Sequence, residues 1–403
     1  MKKVLYFAVA LFGAVMFTAC NKDSQTPEGD KTKLWPAGED GSEQLGFINK
    51  KGEMEIKVNY DNACSFSCGW ACVQEGKDIS FIDKKGKARS IDSEEFCEEY
   101  FYYKTLRFRD GKLYGMWDND FNVIIRPDYY SLGRCGDNGL IAFCEEENDK
   151  VGYMNKSEEI EILPEWDGAS PFKDGIATVY NRKKTDDGTV TRYAVIDASG
   201  DYLVDMQKYA LSNMGEGRIR LCKTSSEKTK YYMCDKYLEE ISGAYDYMTA
   251  FSCGLAMVEK LSGDYYKSGF INKKGELIIE CRYHNAWNFE DDVTWVQKNS
   301  DSNWELIDKK GEQVLKLKSD EYPYSGFHNG LALVYKSDEG SVVYRYIDKK
   351  GETVYKWNPG EEEEDDDDDD WAPRKMDDLR MKSILRTEAG VLFLEMKEAE
   401  AIQ

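Results

Sequence analysis

Seven residues, Gly269-Phe270-Ile271-Asn272-Lys273-Lys274-Gly275, carry the strongest structural signal in this chain. Asn followed by two polar residues and Gly is typical of a hairpin turn, because the Asx side chain hydrogen-bonds the backbone and Gly accepts a positive φ. The segment that follows, Leu277-Ile278-Ile279-Glu280-Cys281, continues as a short run bounded by turn residues. Such runs predict two β-strands joined by a tight turn.

The same phrase recurs along the chain. Close copies lie at residues 46–52, 81–86, 306–311 and 346–351, and weaker ones at 116–118, 153–155, 195–200 and 232–234. The second apolar residue of each copy falls at positions 48, 82, 117, 154, 196, 233, 271, 307 and 347, which differ by 34, 35, 37, 42, 37, 38, 36 and 40. Nine copies of one supersecondary unit are therefore predicted.

A further strand completes each unit. An aromatic residue precedes a Gly-led strand, as in Phe251 followed by Gly254-Leu255-Ala256-Met257-Val258. In the first unit, Leu34-Trp35-Pro36-Ala37 stands in for this strand. The unit thus contains about three strands in roughly 37 residues, a length found in stacked or radial β architectures.

The full phrase resembles the WG-repeat family of bacterial proteins. It consists of Gly-aromatic-Ile-Asp/Asn-Lys-Lys-Gly, then Tyr-Asp, then Phe-x-x-Gly-Leu-Ala-x-Val, and it covers residues 33–357. The Trp-Gly pair that names the family is eroded here; its positions hold Leu45-Gly46, Tyr114-Gly115, Val151-Gly152 and Ser268-Gly269. The resemblance implies an all-β array that presents loops for binding, with no common enzymatic activity.

Two all-β architectures fit tandem repeats of this length. We expect a propeller-like closed array, because closure removes the exposed strand edges that an open array must cap. An open β-solenoid is the alternative, since nine is an awkward number of blades and repeat arrays tolerate open ends.

The amino terminus has the features of an export signal. Lys2 and Lys3 precede an uncharged apolar stretch from Val4 to Ala19, which ends at Cys20. This arrangement predicts a lipoprotein signal peptide over residues 1–19, lipid attachment at Cys20 and a flexible tether over 20–32. Since the residues after Cys20 do not resemble an inner-membrane retention signal, we expect an outer-membrane lipoprotein of the cell envelope, facing either the periplasm or the cell surface.

The carboxyl-terminal part has a different composition. Residues 358–374 form an acidic linker with ten consecutive acids at 361–370, which is typical of a solvated spacer. Weak binding of Ca²⁺ or a cationic partner by this run is the alternative. Residues 375–403 predict a short helix and a strand at 390–396. We expect this strand to pair with the amino-terminal unit and close the array.

Charge and composition exclude several classes of protein. The chain has 403 residues with a net charge of −22, and 41% of its residues are hydrophobic. Global disorder is excluded by the hydrophobic content. A nucleic-acid partner is not expected, because phosphate backbones are bound by clustered Lys and Arg.

Aromatic residues are the best candidates for binding. The chain holds 27 Tyr, 17 Phe and nine Trp. Most should pack in the core, and the remainder are expected to contact a protein or glycan partner, since Trp and Tyr dominate binding hot spots. The candidate binding residues are Trp70, Trp287, Trp295 and Trp304.

No constellation in the sequence predicts catalysis, a metal or a cofactor. The repeated acids Asp83, Asp197, Asp308 and Asp348 are explained by their hairpin turns. His284 and His328 substitute for turn residues, and no nucleophile accompanies them.

The cysteines are compatible with more than one role. Cys64, Cys68 and Cys72 run through a turn into a strand, so a thiol metal site is disfavoured. One or two disulfides are compatible with an envelope protein, with Cys68 and Cys72 as possible neighbours in space.

The sequence favours a non-enzymatic binding or scaffold lipoprotein, with an envelope hydrolase or a passive structural protein as alternatives.

Overall fold

The computed structural model describes residues 33–360, apart from residues 93, 187, 226–227 and 339–340. Within this part of the chain all regular structure is β, arranged as nine antiparallel sheets, and there is no helix long and apolar enough to cross a membrane. The signal peptide, Cys20, the acidic run and the expected closing strand at 390–396 lie outside the described residues.

Each sheet is one blade, formed by consecutive strands. Blade one has β1 (Leu34–Gly38), β2 (Leu45–Asn49) and β3 (Met54–Tyr60); blade two has β4 (Asn62–Ala63), β5 (Trp70–Glu75), β6 (Asp78–Asp83) and β7 (Ala88–Ile91); blade three has β8 (Thr105–Asp110), β9 (Leu113–Asp118) and β10 (Val123–Tyr129). Blade four has β11 (Ser131–Cys135), β12 (Ile141–Cys144), β13 (Val151–Met154) and β14 (Ile160–Trp166); blade five has β15 (Gly168–Ala169), β16 (Ile176–Thr185), β17 (Gly188–Asp197) and β18 (Tyr202–Gln207).

The remaining blades follow the same order. Blade six has β19 (Ala210–Gly215), β20 (Arg218–Thr224) and β21 (Thr229–Cys234); blade seven has β22 (Tyr247–Met248), β23 (Leu255–Ser262), β24 (Tyr265–Asn272) and β25 (Leu277–Tyr283). Blade eight has β26 (Asn285–Ala286), β27 (Val293–Gln297), β28 (Glu305–Asp308) and β29 (Gln313–Lys316); blade nine has β30 (Glu321–Pro323), β31 (Ala332–Asp338), β32 (Ser341–Ile347) and β33 (Thr353–Trp357).

The ring closes through its core. Nine hydrophobic clusters each join two neighbouring blades, and one of them joins blade nine to blade one through Leu333, Tyr346 and Trp357 on one side and Trp35 and Ile48 on the other. Nine units in an open array would have eight such interfaces. The chain is therefore a nine-bladed propeller, and the solenoid alternative is not favoured.

The nine Asx turns confirm the reading of the repeated phrase. In every blade the Asx side-chain oxygen accepts hydrogen bonds from the backbone N–H groups two and four residues later, as in Asp308 with Lys310 and Glu312, both at 2.9 Å. The Asx residues are Asn49, Asp83, Asp118, Asn155, Asp197, Asp235, Asn272, Asp308 and Asp348. Their place in the turns accounts for the repeated acids.

The Phe-x-x-Gly segment also forms a tight hairpin. In blade two, Ser67 and Trp70 exchange backbone hydrogen bonds of 2.7 and 3.0 Å, and the two residues between them, Cys68 and Gly69, have φ values of 52° and 88°. Two consecutive positive φ angles define the type I′ turn, which matches the twist of the strands it joins. This turn connects the first strand of the unit to the Gly-led second strand.

The first strand was missing from the sequence-based unit of three strands. Most blades have four, with a short first strand beside the Gly-led one, and in blade three a bridge between Phe96 and Phe108 takes its place. Strands of two residues, such as β4 and β26, are too short to produce a periodic signal. Blade one has three strands, and β1 occupies the second-strand position, as expected for Leu34-Trp35-Pro36-Ala37.

Candidate binding surface

Alternation of strand direction gives the propeller two different faces. In a four-stranded antiparallel blade, the first and third connections lie at one end and the second lies at the other. The end that carries the type I′ turns and the Asx turns is called the turn face. The end that carries the hairpins between second and third strands is called the hairpin face.

The turn face is held together by contacts between blades. The first Lys of an Asx turn reaches the type I′ turn of the preceding blade, since Lys309 Nζ donates to Cys253 O at 3.1 Å. Lys309 Nζ also lies 2.8 Å from Asp292 Oδ1, in the type I′ turn of its own blade. Lys349 makes the equivalent bond to Asp291 O. Successive type I′ turns also touch, since Gly330 N donates to Asp291 Oδ2 at 2.5 Å. These repeated bonds give the turn-face lysines and acids a structural role.

A buried carboxyl group lies beneath this face in blade eight. Glu290 is 3% exposed, and within the described part of the chain its Oε2 has no hydrogen-bond partner. Burial raises the pKa of Glu290 well above its ordinary value, and Cys253 and Asp291 raise it further. Serine holds the same repeat position in blades two and seven, where Ser67 and Ser252 donate to the carbonyl oxygens of Phe101 and Phe289 in the next blade. Glu290 therefore occupies an interblade packing position.

The hairpin face is where the blades differ from one another. Second and third strands have six residues each in blade two, ten each in blade five and eight each in blade seven. The parts of a repeat that vary between copies are not required for stacking the copies, so they are free to serve recognition.

Blade seven exposes apolar side chains on its extended hairpin. Leu261, Tyr265 and Tyr266 are 51%, 63% and 53% exposed, and Leu261 lies opposite Tyr266 in the strand register. Tyr265 makes an edge contact with the ring of His284 in the next connection, with centroids 6.2 Å apart. We call these four residues, Leu261, Tyr265, Tyr266 and His284, the blade-seven tip. Leu261 and Tyr266 lie on one face at the end of a two-stranded ribbon, and Tyr265 lies with His284 on the other face, because neighbouring residues of a strand point to opposite faces.

His284 departs from the repeat at this place. In blades two and seven the Asp that precedes the first strand accepts a backbone N–H fifteen residues later, as Asp61 does from Gly76 at 2.6 Å and Asp246 from Leu261 at 3.0 Å. In blade eight His284 holds that position, and its ring packs against Tyr265 instead. The substitution extends the apolar surface of the tip.

Charged groups support the base of the blade-seven hairpin. Asp246 also pairs with Lys230, and these bonds hold its pKa below the ordinary value although burial acts in the opposite direction. Burial raises the pKa of the nearby Glu259, whose Oε1 accepts from Ser268 Oγ at 3.1 Å. Lys260 Nζ lies 4.7 Å from the centre of the Tyr245 ring. The base is thus a bonded network, and the tip projects beyond it.

The four candidate tryptophans lie mainly in blade interfaces. Trp295 is 1% exposed and donates from Nε1 to Ser325 O at 3.1 Å. Trp70 is partly buried, donates to Asn119 O at 2.9 Å and packs edge-on against Phe121. Trp287 and Trp304 are partly buried and contact each other with centroids 5.9 Å apart.

The structure places the two histidines on opposite faces of the propeller and shows which cysteines lie opposite each other. His284 lies at the hairpin face, whereas His328 lies in the type I′ turn of blade nine at the turn face. The ten described cysteines are in the thiol form. The residue opposite Cys72 is Cys64, because Cys68 lies in the turn between their strands. The sequence leaves the cysteine pairing open, with Cys68 and Cys72 as possible neighbours.

The sequence analysis missed the blade-seven tip. Its signal is Gly263-Asp264, a two-residue connection flanked by Leu261-Ser262 and Tyr265-Tyr266, which is typical of a tight hairpin. The exposure of these side chains depends on how far the ribbon extends past the blade body, and tryptophan content gives no information about that.

Comparison with known proteins supports the repeat assignment. The model of the WG containing repeat matches residues 46–77, 152–184, 241–262, 269–300 and 306–338. The chain thus contains WG repeats at five places, as the repeated phrase predicts. No curated protein sequence matches the chain.

Several solved structures are similar in fold at low sequence identity. An uncharacterized protein, lmo1340, from Listeria monocytogenes is 13% identical over 74% of this chain and 97% of its own, with a TM-score of 0.37. The Dos1 propeller is 11% identical over 69% and 90%, with a TM-score of 0.37. The β-propeller domain of the Trilobed protease from Pyrococcus furiosus is 13% identical over 71% and 98%, with a TM-score of 0.35. At these TM-scores the likenesses add nothing to the blade assignment, which the nine sheets and nine interfaces of this chain define.

Proposed function

We propose that this WG-repeat propeller is a non-enzymatic binding scaffold of the cell envelope, anchored by lipid at Cys20, and that its hairpin face holds a protein partner. One observation carries the proposal. The blade-seven tip places three large apolar side chains, each more than half exposed, on a ribbon longer than that of blade two.

The chemistry of the tip favours protein over glycan. Tyrosine rings supply a large apolar contact area with a polar end and lose little conformational entropy on binding. Leu261 adds an aliphatic contact on the same face as Tyr266. Exposed apolar side chains grouped together are typical of protein–protein contact sites. A glycan partner and a passive structural role, in which nothing is recovered, remain as outcomes of the test.

Two features of the chain support the envelope location. The apolar stretch before Cys20 predicts export and lipid attachment, and residues 20–32 provide a tether before the first described strand. Within this proposal the tether holds the propeller away from the outer membrane, so that the hairpin face is accessible to its partner.

The test is in-cell crosslinking of the tagged full-length protein, followed by mass spectrometry of what stays attached. A variant with Leu261, Tyr265 and Tyr266 each changed to Ser should lose most of the partner. Tyr237→Ser is the matched control, because Tyr237 is 56% exposed but lies in an Asx turn on the turn face. Cys20→Ala tests the anchor.

The results discriminate among the alternatives. A partner that stays attached equally to the triple Ser variant and to the Tyr237→Ser control contradicts the assignment of the tip. Recovery of glycan, with no protein, would replace the protein partner by a carbohydrate. Loss of the partner in the Cys20→Ala form alone would show that anchoring, and not the tip, governs the association.

A further inference from the structure

Two cysteines face each other across the first two strands of blade two. Asn62 pairs with Gln74 and Ala63 with Val73, so the next residues in register are Cys64 and Cys72. The backbone N–H of Cys64 donates to Cys72 O at 2.8 Å, which confirms this alignment. Opposite residues of an antiparallel pair have Cα atoms about 4.5–5.5 Å apart, within the range that a disulfide spans.

The equivalent residues of blade five show that side chains touch at this register. Ser170 N donates to Thr178 O at 2.9 Å, as Cys64 N does to Cys72 O. The side-chain oxygens Ser170 Oγ and Thr178 Oγ1 are 3.1 Å apart. In blade two the Cys72 thiol is the largest of the causes that raise the pKa of the Cys64 thiol, as expected for side chains at the same register. The pair thus places two sulfur atoms where blade five places two hydroxyls.

We propose that Cys64 and Cys72 form a redox pair that closes to a disulfide between the first and second strands of blade two. The bond would link the strands on either side of the type I′ turn that contains Cys68. This inference is independent of the binding function proposed for the hairpin face, because the pair belongs to the body of another blade.

The reaction requires a disulfide donor. One thiol of the pair loses its proton, and the thiolate attacks a sulfur of the donor, releasing one donor thiol and leaving a mixed disulfide. The second thiolate then attacks the protein sulfur of the mixed disulfide and releases the other donor thiol. In total, two protein thiols and one donor disulfide yield one protein disulfide and two donor thiols.

The surroundings of the Cys64–Cys72 pair affect the rate of its thiol–disulfide exchange. The Cys72 thiol hydrogen bond raises the pKa of the Cys64 thiol well above its ordinary value, and burial and Glu99 raise it further. Since the thiolate is the attacking species, exchange that begins at Cys64 should be slow at neutral pH and faster in alkaline solution.

The test uses the reduced full-length protein and glutathione disulfide. After oxidation the sample is quenched in acid, denatured, alkylated, digested and analysed by mass spectrometry. The expected product is a linked peptide pair joining Cys64 to Cys72, with loss of two alkylatable thiols. Oxidation of dithiothreitol in a parallel sample verifies that the donor is active.

Matched variants make the outcome decisive. Cys64→Ser with Cys72→Thr reproduces the blade-five pair, so it should fold and lose the link. Cys68→Ser should retain the link. A disulfide that joins Cys68 to either partner, or full alkylation of Cys64 and Cys72 under conditions that oxidise dithiothreitol, would overturn the proposal.

Discussion

The hydroxyl of Tyr346 donates a hydrogen bond of 2.7 Å to the carbonyl oxygen of Pro36, and so joins blade nine to blade one across 310 residues. Tyr355 makes the equivalent bond to Gly38 O at 2.9 Å. In blade two the corresponding carbonyls, Cys72 O and Gln74 O, accept from the backbone N–H groups of the first strand. Two tyrosine hydroxyls therefore replace the strand that blade one lacks among the described residues.

Both tyrosines should contribute to the stability of the closed ring. Tyr346→Phe and Tyr355→Phe each leave a carbonyl oxygen without its donor, so each should lower the free energy of unfolding by about 1 kcal/mol. Tyr322→Phe is the control, because the Tyr322 side chain is exposed. Urea unfolding measures the difference, and equal midpoints for all three variants would contradict a role of these hydroxyls in closure.

The first Lys of the Asx turn should matter more than the second. Lys309→Met removes the bonds to Cys253 O and Asp292, whereas Lys310 contributes only its backbone N–H to the turn of Asp308. We expect Lys309→Met to destabilise the protein by about 1 kcal/mol and Lys310→Met by only a few tenths. Thermal unfolding of the two variants tests this, and a larger loss for Lys310→Met would be evidence against the interblade role.

Glu290 should make the protein less stable in alkaline solution. Because burial raises its pKa in the folded state, the folded protein holds this proton more tightly than the unfolded chain does. Its contribution is complete below the ordinary pKa of a glutamate, and it is lost as the pH rises toward and through the raised value. Glu290→Gln should flatten this decline, giving a gain of about 1 kcal/mol or more at alkaline pH.

Unfolding of both proteins across a pH series measures this effect. Glu312→Gln, an exposed residue of the Asx turn in the same blade, is the control. Parallel pH profiles for wild type and Glu290→Gln would show that Glu290 is not the titrating group.

Glu98 should produce the opposite pH dependence. It is 2% exposed and lies 2.7 Å from both Arg107 and Arg134. Burial acts to raise its pKa, but the two arginines outweigh burial and hold the pKa below the ordinary value. Its stabilisation is therefore present above the ordinary pKa and is lost as the pH falls through the lowered one.

Removal of the Glu98 carboxylate should lower the free energy of unfolding. Glu98→Ala leaves two partly exposed guanidinium groups without their shared partner, and an expected loss of about 1.5–3 kcal/mol follows. Glu94→Ala, an exposed neighbour, should change stability by less than about 0.5 kcal/mol. Chemical denaturation at neutral pH compares the two, and similar midpoints would exclude a structural role for the ion cluster.

The repeated turns could be predicted from residue identities, because their structure is local. Asn272 and Gly275 are three residues apart, and the side-chain bond and positive φ that they require involve only the turn itself. The strand after the turn also follows from a local signal, because its residues alternate between buried and exposed, whereas β24 before the turn has four consecutive buried residues. The all-β class and the count of nine units depend on these local signals alone.

Other features depend on residues far apart in the chain. The environment of Trp295 is set by blade nine, since its indole N–H binds Ser325 O and its ring packs against Phe327. The exposure of Tyr265 depends on the length of its ribbon relative to the neighbouring blades. Tryptophan and tyrosine content alone could not separate a packed ring from an exposed one.

The amino-acid sequence was sufficient to define the strands, the Asx turns and the number of repeats, because each is governed by hydrogen bonds and side-chain alternation within a few residues. Closure of the ring and the exposure of the blade-seven tip were decided by tertiary structure. Each depends on which blade lies beside which, and on how far a strand extends past its neighbour. The relative positions of the blades are set by the packing of all nine interfaces, and the sequence of a single repeat does not determine them.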